Sequence, residues 1–306
     1  MHKVLVTEIG SETTVVNAFG DLDTENPNLL GQGLSRTIEF DGDVGMGLRL
    51  AISDLEKDIG SFGYSGEIPF YVTSSLPTWQ IDQEVKDYNI LDAMGRQGNL
   101  EILPTSGAIM KVAQLIYEEV GDVLILRVGS ASTDVYYVTQ TVVQHTVEED
   151  LGVYSNAMTL VKLIGEARIK EHHGQDWDKF LKTRPETLEE IALSAELTAA
   201  AVTIALQRFI GRSYDYNGTN SKVSSAEGRD LTQIRWVVGT GSVLTQLPNG
   251  LEIMSESIKG MGDAFAQEGI AMLLDKDCIM ASLGALTTTF RQGAWQLLRE
   301  SLGVEN

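Results

Sequence analysis

The chain has 306 residues, 43% of them hydrophobic and 22% charged, a globular balance that excludes a disordered polypeptide. With 23 basic and 43 acidic side chains the formal charge is −20, which argues against nucleic acid and anionic membrane as partners, since both are polyanions. At roughly 100–200 residues per domain the length predicts two domains.

Taken in chain order, the opening MHKVLVTEIG carries no long apolar run, so no signal peptide is read. Residues 4–16 read as an aliphatic strand, a Gly10-Ser11 turn and a second, β-branched strand. A turn-rich stretch follows from Asp21 to Asn28, then Gly31-Gln32-Gly33. A helix is expected from Val44 to Ile59, with Leu48, Ala51, Ile52 and Leu55 on one face. Residues 60–105, with Pro69, Pro77, Pro104 and several glycines, show no obvious core. Thr105 to Val120 reads as an amphipathic helix stopped by Gly121.

A second strand–turn–strand passage then runs from Leu124 to Val135 through Gly129-Ser130. It lies about 120 residues after the first, too far for a solenoid repeat and suited to a duplicated domain. The acidic run Glu148-Glu149-Asp150 reads as a solvated turn before a helix from Ala157 to His172. Thr187-x-x-Glu190 matches a capping box, opening an alanine-rich helix to Ile210. A polar loop spans Ser213 to Asp230, and a strand from Ile234 to Val238 enters Gly239-Thr240-Gly241-Ser242. Helices holding Ile279–Leu286 and Gln292–Leu302 close the chain. No run of about 18 apolar residues is present to span a membrane, and a cytoplasmic location is expected.

Cys278 is the only cysteine, which excludes an internal disulfide and multi-cysteine metal sites. The adjacent His172 and His173 are expected to point to different sides of a helix, which argues against chelation, and His145 reads as a surface or internally satisfied histidine. There is no Walker-type Gly-x4-Gly-Lys-Ser/Thr, no Gly-x-Gly-x-x-Gly after a strand and no Gly-x-Ser-x-Gly elbow. Gly-Ser/Thr turns between strands, however, aim backbone N–H groups and hydroxyls at one point, a geometry suited to phosphate oxygens. Two such hairpins and the strand-Gly-Thr-Gly-Ser turn would supply three walls of a nucleotide site.

This order of motifs resembles actin/Hsp70-type ATPases, and within them the glutamate mutase L-like proteins, in particular the branch associated with ornithine degradation. The passages are Val4–Phe19, Asp41–Leu48, Ile102–Met110, Arg127–Val135, Asp150–Asn156, Ala226–Gly250 and Asp275–Leu286. The resemblance implies an α/β, actin-like (ribonuclease H-like) ATPase fold with two related domains around a nucleotide cleft. Residues 1–120 would form the first domain, 121–288 the second, and 289–306 a helix returning to the first.

The function it implies is a nucleotide-binding accessory protein, a chaperone or reactivating factor of adenosylcobalamin-dependent amino-acid mutases such as glutamate mutase or ornithine aminomutase. The expected ligand is ATP or ADP with magnesium, without direct binding of cobalamin. The expected partners are mutase subunits, with room for a homo-oligomer. By position, Gly10, Ser11, Thr13 and Thr14 would take one side of the phosphates and Gly129, Ser130, Ser132 and Thr133 the other. Gly239, Gly241 and Ser242 would face the adenosine, and Glu8 and Asp134 would reach a metal through water.

Two departures stand out. The second hairpin of the family opens with Asp, and here that position is Arg127, a change of two charge units that favours phosphate but cannot hold Mg²⁺. Weak or absent ATPase activity is therefore expected, and a degenerate scaffold used for protein contact or self-assembly is the alternative. The chain is also short for the family, with the deficit placed near residues 74–103, so the first domain is expected to be reduced.

Overall fold

The computed structural model describes residues 2–37, 44–60, 68–76, 102–211, 231–266 and 268–304. The 213–230 loop and most of the 74–103 region singled out in the sequence lie outside these residues. Among the described residues no helix is long and apolar enough to cross a membrane.

The chain divides into two compact units: residues 1–115 with 279–306, and residues 116–278. The first holds a five-stranded sheet of β1 (Lys3–Ile9), β2 (Thr13–Gly20), β3 (Asn28–Arg36), β4 (Phe70–Ser74) and β5 (Ile102–Pro104), in the order β3-β2-β1-β4-β5. The second holds β6 (Val123–Val128), β7 (Thr133–Val138), β8 (Val143–Glu148), β9 (Trp236–Thr240) and β10 (Ala271–Leu274), in the order β8-β7-β6-β9-β10. In each sheet the first three strands in chain order form an antiparallel meander, the fourth pairs in parallel with the first, and the fifth pairs in parallel with the fourth. The duplication expected from two short passages thus extends over two whole sheets. The first sheet has as many strands as the second.

Helix α1 (Val44–Ile59) covers one face of the first sheet, burying Val44, Leu48, Ala51 and Leu55 against Leu5, Ile9, Val16 and Phe70. Its close approach explains the Gly31-Gln32-Gly33 stretch, which belongs to strand β3. A Cβ on Gly33 would stand 2.5 Å from the Leu55 amide nitrogen and collide with the Ala51 carbonyl. On the other face Asn17 donates to Ser282 of α8 (Met280–Leu286) at 2.7 Å and accepts from Gln32 at 2.8 Å, so this fully buried amide is satisfied. The segment from Ile279 onward, with α8 and α9 (Arg291–Ser301), is therefore part of the first unit.

Helix α2 (Thr105–Val120) leads from the first unit into the second. The expected helix from Ala157 to His172 is two helices, α3 (Ala157–Ile164) and α4 (Glu166–His173), broken at Gly165, whose φ of 104° no helix accommodates. Helix α5 (Leu188–Gly211) begins with a reciprocal capping box. The Glu190 amide donates to Thr187 Oγ1 at 3.3 Å, and the Glu190 carboxylate accepts from the Thr187 amide at 3.2 Å. Leu193, Leu197, Ala201, Leu206 and Phe209 of α5 form the core with Leu124, Leu126 and Val135 of the second sheet.

The acidic run is only partly solvated, since Glu149 is exposed but Glu148 is not. Glu148 is 2% exposed, and Arg208 of α5 reaches it at 2.8 Å while holding Asp150 bidentately at 2.6 and 2.8 Å. Asp150 and Glu148 together keep the guanidinium charged, raising its pKa further above its already high value.

Candidate nucleotide-binding site

The two hairpin turns have the same construction. Ile9 faces Thr14 and Val128 faces Thr133 across the strand pairs, and the turns close through Gly10 N–H to Thr13 O (3.0 Å) and Gly129 N–H to Ser132 O (2.9 Å). The register makes Gly10 equivalent to Gly129, Ser11 to Ser130, Thr13 to Ser132, Thr14 to Thr133 and Glu8 to Arg127.

The second turn is braced from behind. Gly129 O accepts from the Val153 amide at 3.2 Å, and Ser130 O accepts from the amides of Tyr154 (3.0 Å) and Ser155 (2.9 Å). Its carbonyls are thus engaged on one side. Among the described residues, the amides of Ser130, Ala131 and Ser132 meet no acceptor, which leaves a row of donors for an anion.

Not every expected phosphate ligand presents its hydroxyl. Thr133 is buried and donates to Leu151 O at 2.8 Å. Thr14 is buried and shares a 3.1 Å bond with Thr37, whose hydroxyl in turn donates to Gly10 O at 2.7 Å. These two threonines shape the turns from inside. Ser11 and Ser130 are half-buried at the turn corners, as are Thr13 and Ser132 after them.

The β9 turn adjoins the second hairpin. Arg127 pairs in register with Thr240, and Gly241, at φ 93°, has no room for a side chain because a Cβ would strike the Val128 carbonyl. Gly241 and Ser242 therefore sit beside the end of β6, with Ser242 opening the short helix α6 (Ser242–Gln246). Gly239 lies deeper, and its Cβ direction is filled by Met254, Leu244 and Leu274. Its role is close packing. The turns after β6 and β9 thus meet at the carboxyl ends of parallel strands, where open α/β sheets bind ligands.

Sequence reasoning missed Asp275 at this same edge, just after β10. Fully buried, it accepts from the Thr240 hydroxyl at 2.8 Å, and its amide donates to Gly239 O at 2.9 Å. An acid directly after an aliphatic strand was the signal that could have found it.

Asp134 is not disposed to reach a metal. Its Oδ2 accepts from Arg127 at 3.0 Å and from Ser132 at 3.1 Å, and its Oδ1 is bonded to His145 at 3.1 Å. Burial alone would push this carboxyl up, but the His145 hydrogen bond and the Arg127 charge outweigh it and hold the carboxyl below its ordinary range. With both oxygens engaged and the charge neutralised, Asp134 does not fit a magnesium site. Glu8, the other carboxylate of the expected pair, is half-buried near the end of β1. His145, stacked 4.2 Å from Tyr136, is internally satisfied as expected.

His172 and His173, expected to diverge, converge on one carboxylate. His172 Nδ1 and His173 Nε2 each lie 2.9 Å from Glu196 Oε2. Successive helix residues do diverge, but one histidine uses its near nitrogen and the other its far nitrogen, and the two reaches converge.

Comparison with known proteins agrees with this architecture. The chain is similar to Protein MutL of Clostridium tetanomorphum, 25% identical over 234 residues, covering 66% of this chain and 51% of that protein. It thus spans about half the length of the curated relative it matches. In fold it is similar to component A of the (R)-2-hydroxyglutaryl-CoA dehydratase of Acidaminococcus fermentans, with a TM-score of 0.51, 12% identity and coverage of 96% and 100% of the two chains. It is likewise similar to the activator of the 2-hydroxyisocaproyl-CoA dehydratase from Clostridium difficile with bound ADPNP, with a TM-score of 0.51, 12% identity and coverage of 99% and 98%. These likenesses give the fold as that of the actin-like ATPases. The MutL protein family profile matches residues 83–302, most of the chain, and the protein belongs to that family, the glutamate mutase L proteins.

Proposed function

We propose that this protein is a nucleotide-binding accessory factor of an adenosylcobalamin-dependent amino-acid mutase of the glutamate mutase or ornithine aminomutase type, acting as a chaperone or reactivating factor. The observation that carries the reading is the braced Gly129–Ser132 turn, with its row of open amides, abutting the Gly241–Ser242 turn. The β- and γ-phosphates of ATP, or the β-phosphate of ADP, would take the amides of Ser130, Ala131 and Ser132, and the Ser130 hydroxyl. Arg127 stands beside Gly129, its Nη1 lying 3.3 Å from where a Gly129 Cβ would stand, with its charge balanced by Asp134. The Gly241–Ser242 turn would border the adenosine. The Gly10 turn of the first unit, built the same way, is assigned the same phosphate chemistry, with Glu8 reaching magnesium through water. An acidic protein holds such a ligand by local N–H groups rather than by net charge.

The support for nucleotide is twofold: the geometry of these turns, and a structural neighbour that carries ADPNP. The support for the mutase partner is membership of the MutL family. Isothermal titration with ATP and ADP, with and without Mg²⁺, tests the reading. Saturable binding is expected, and no heat at millimolar nucleotide would overturn it.

The Arg127–Asp134 pair favours a second reading, a scaffold that does not hydrolyse ATP. Because Arg127 neutralises Asp134, replacing it alone by an acid would set two buried carboxylates face to face. The discriminating variant is the double substitution Arg127→Glu with Asp134→Val, which copies the Glu8–Val15 pair of the first hairpin. Gain of ATPase activity over the parent marks a weakened enzyme. A variant and parent that neither bind nor hydrolyse ATP mark a scaffold.

A further inference from the structure

The cluster of ligating side chains outside the hairpin turns is built on different elements of the second unit. Helix α4 ends in His172-His173, and α5 carries Glu196 about two turns inside its start. His172 Nδ1 lies 2.9 Å from Glu196 Oε2 and 3.1 Å from Oε1, and His173 Nε2 lies 2.9 Å from the same Oε2. The three donor atoms all fall within 4.8 Å of one another. His173 and Glu196 are largely buried, with side-chain exposures of 9% and 16%, whereas His172 is 44% exposed.

We propose that His172, His173 and Glu196 bind a divalent transition-metal ion, with zinc the best match, which ties α4 to α5. Two imidazole nitrogens and one carboxylate oxygen form a borderline-soft donor set, which selects zinc or its neighbours over magnesium and calcium. Zinc holds such atoms at about 2.0–2.2 Å, which separates tetrahedral ligands by roughly 3.4 Å. Each His–Glu pair therefore needs to part by only about half an ångström to admit the ion.

The two carboxylate oxygens have different roles. Oε2 is shared by both imidazoles and is the ligand, whereas Oε1 accepts from Arg168 Nε at 3.0 Å. Arg168 thus orients the carboxylate from outside the site, as partners of metal ligands commonly do. The exposed side of His172 leaves the fourth position to water. A metal here would hold the α4 end, which Gly174 terminates at φ 86°, against a helix whose own core contacts anchor the unit.

The test uses the full chain, stripped with a chelator, dialysed and titrated with zinc chloride by calorimetry. One zinc per chain is expected to bind and to raise the thermal unfolding midpoint. Each of His172→Gln, His173→Gln and Glu196→Gln is expected to weaken zinc about ten-fold or more, and Arg168→Ala to weaken it less. Should a variant misfold by circular dichroism, the parent loaded with Co²⁺ decides. Visible bands of a low-coordinate nitrogen–oxygen site support the proposal, and the spectrum of hydrated Co²⁺ overturns it. A thiolate-to-cobalt band would place the metal at Cys278 and also overturn it, as would zinc affinity unchanged in the His172→Gln/His173→Gln double variant.

Discussion

Removing the Arg127 guanidinium by Arg127→Ala should loosen the β6–β7 hairpin by an amount the structure lets us estimate. The Arg127 and Asp134 side chains are 15% and 5% exposed and 3.0 Å apart, so the substitution strands a buried carboxylate. Breaking a buried pair from one side costs about 3–5 kcal/mol. Asp134 keeps its bonds to Ser132 and His145, so the expected loss is smaller, about 2–3 kcal/mol. At ~1.4 kcal/mol per ten-fold, amide exchange in peptides covering 123–138 should accelerate roughly 30- to 150-fold at neutral pH.

The pH dependence has a definite sign. The His145 bond and the Arg127 charge leave the Asp134 carboxyl below its ordinary value despite burial. Its contribution is present in full above the unfolded value and is lost as the pH falls through the lowered folded value. The gap between parent and variant should therefore close only in strong acid. Equal protection of parent and Arg127→Ala at neutral pH would refute the reasoning, as would a gap that persists once Asp134 is protonated.

Gly33→Ala should force α1 away from β3, because the new methyl meets the Ala51 carbonyl and the Leu55 backbone; a loss of about 1–3 kcal/mol is expected in urea unfolding. Arg208→Ala leaves Glu148 buried beside Asp150 without its cation and should destabilise the second unit by about 2–4 kcal/mol. Arg208→Lys should restore only part of this, since an ammonium cannot make the bidentate contact. Thr187→Ala removes the acceptor for the Glu190 amide and should cost about 1 kcal/mol, read as faster exchange in the first turn of α5.

Much of this fold is written locally in the chain. Both Gly-Ser hairpins, helix α1, helix α2 and the capped α5 announce themselves through β-branched runs, helical periodicity and Thr187-x-x-Glu190. Strands β4 and β5 do not. They have five and three residues, and what makes them strands is parallel pairing to β1 and to each other, a tertiary fact. The glycines of β3 hid a strand because α1 lies almost on its backbone.

The site was legible to the same degree. Turn positions followed from the Gly-Ser pattern, but the direction of each hydroxyl did not. Thr14 and Thr133 turn inward to partners 23 and 18 residues away. Long-range partners also explain why Glu148 and Asp150 looked solvated: their cation, Arg208, follows about 60 residues later on α5. Glu196 stands 23 residues from His173, beyond any local spacing rule.

The most direct test of nucleotide binding at the hairpin turns is hydrogen exchange of the full chain with and without saturating ADPNP. Slowed exchange is predicted at residues 129–133, 239–242 and 10–14, with α4 and the start of α5 unchanged. ADPNP that leaves those three turns unprotected, or that protects only segments away from them, would contradict the account.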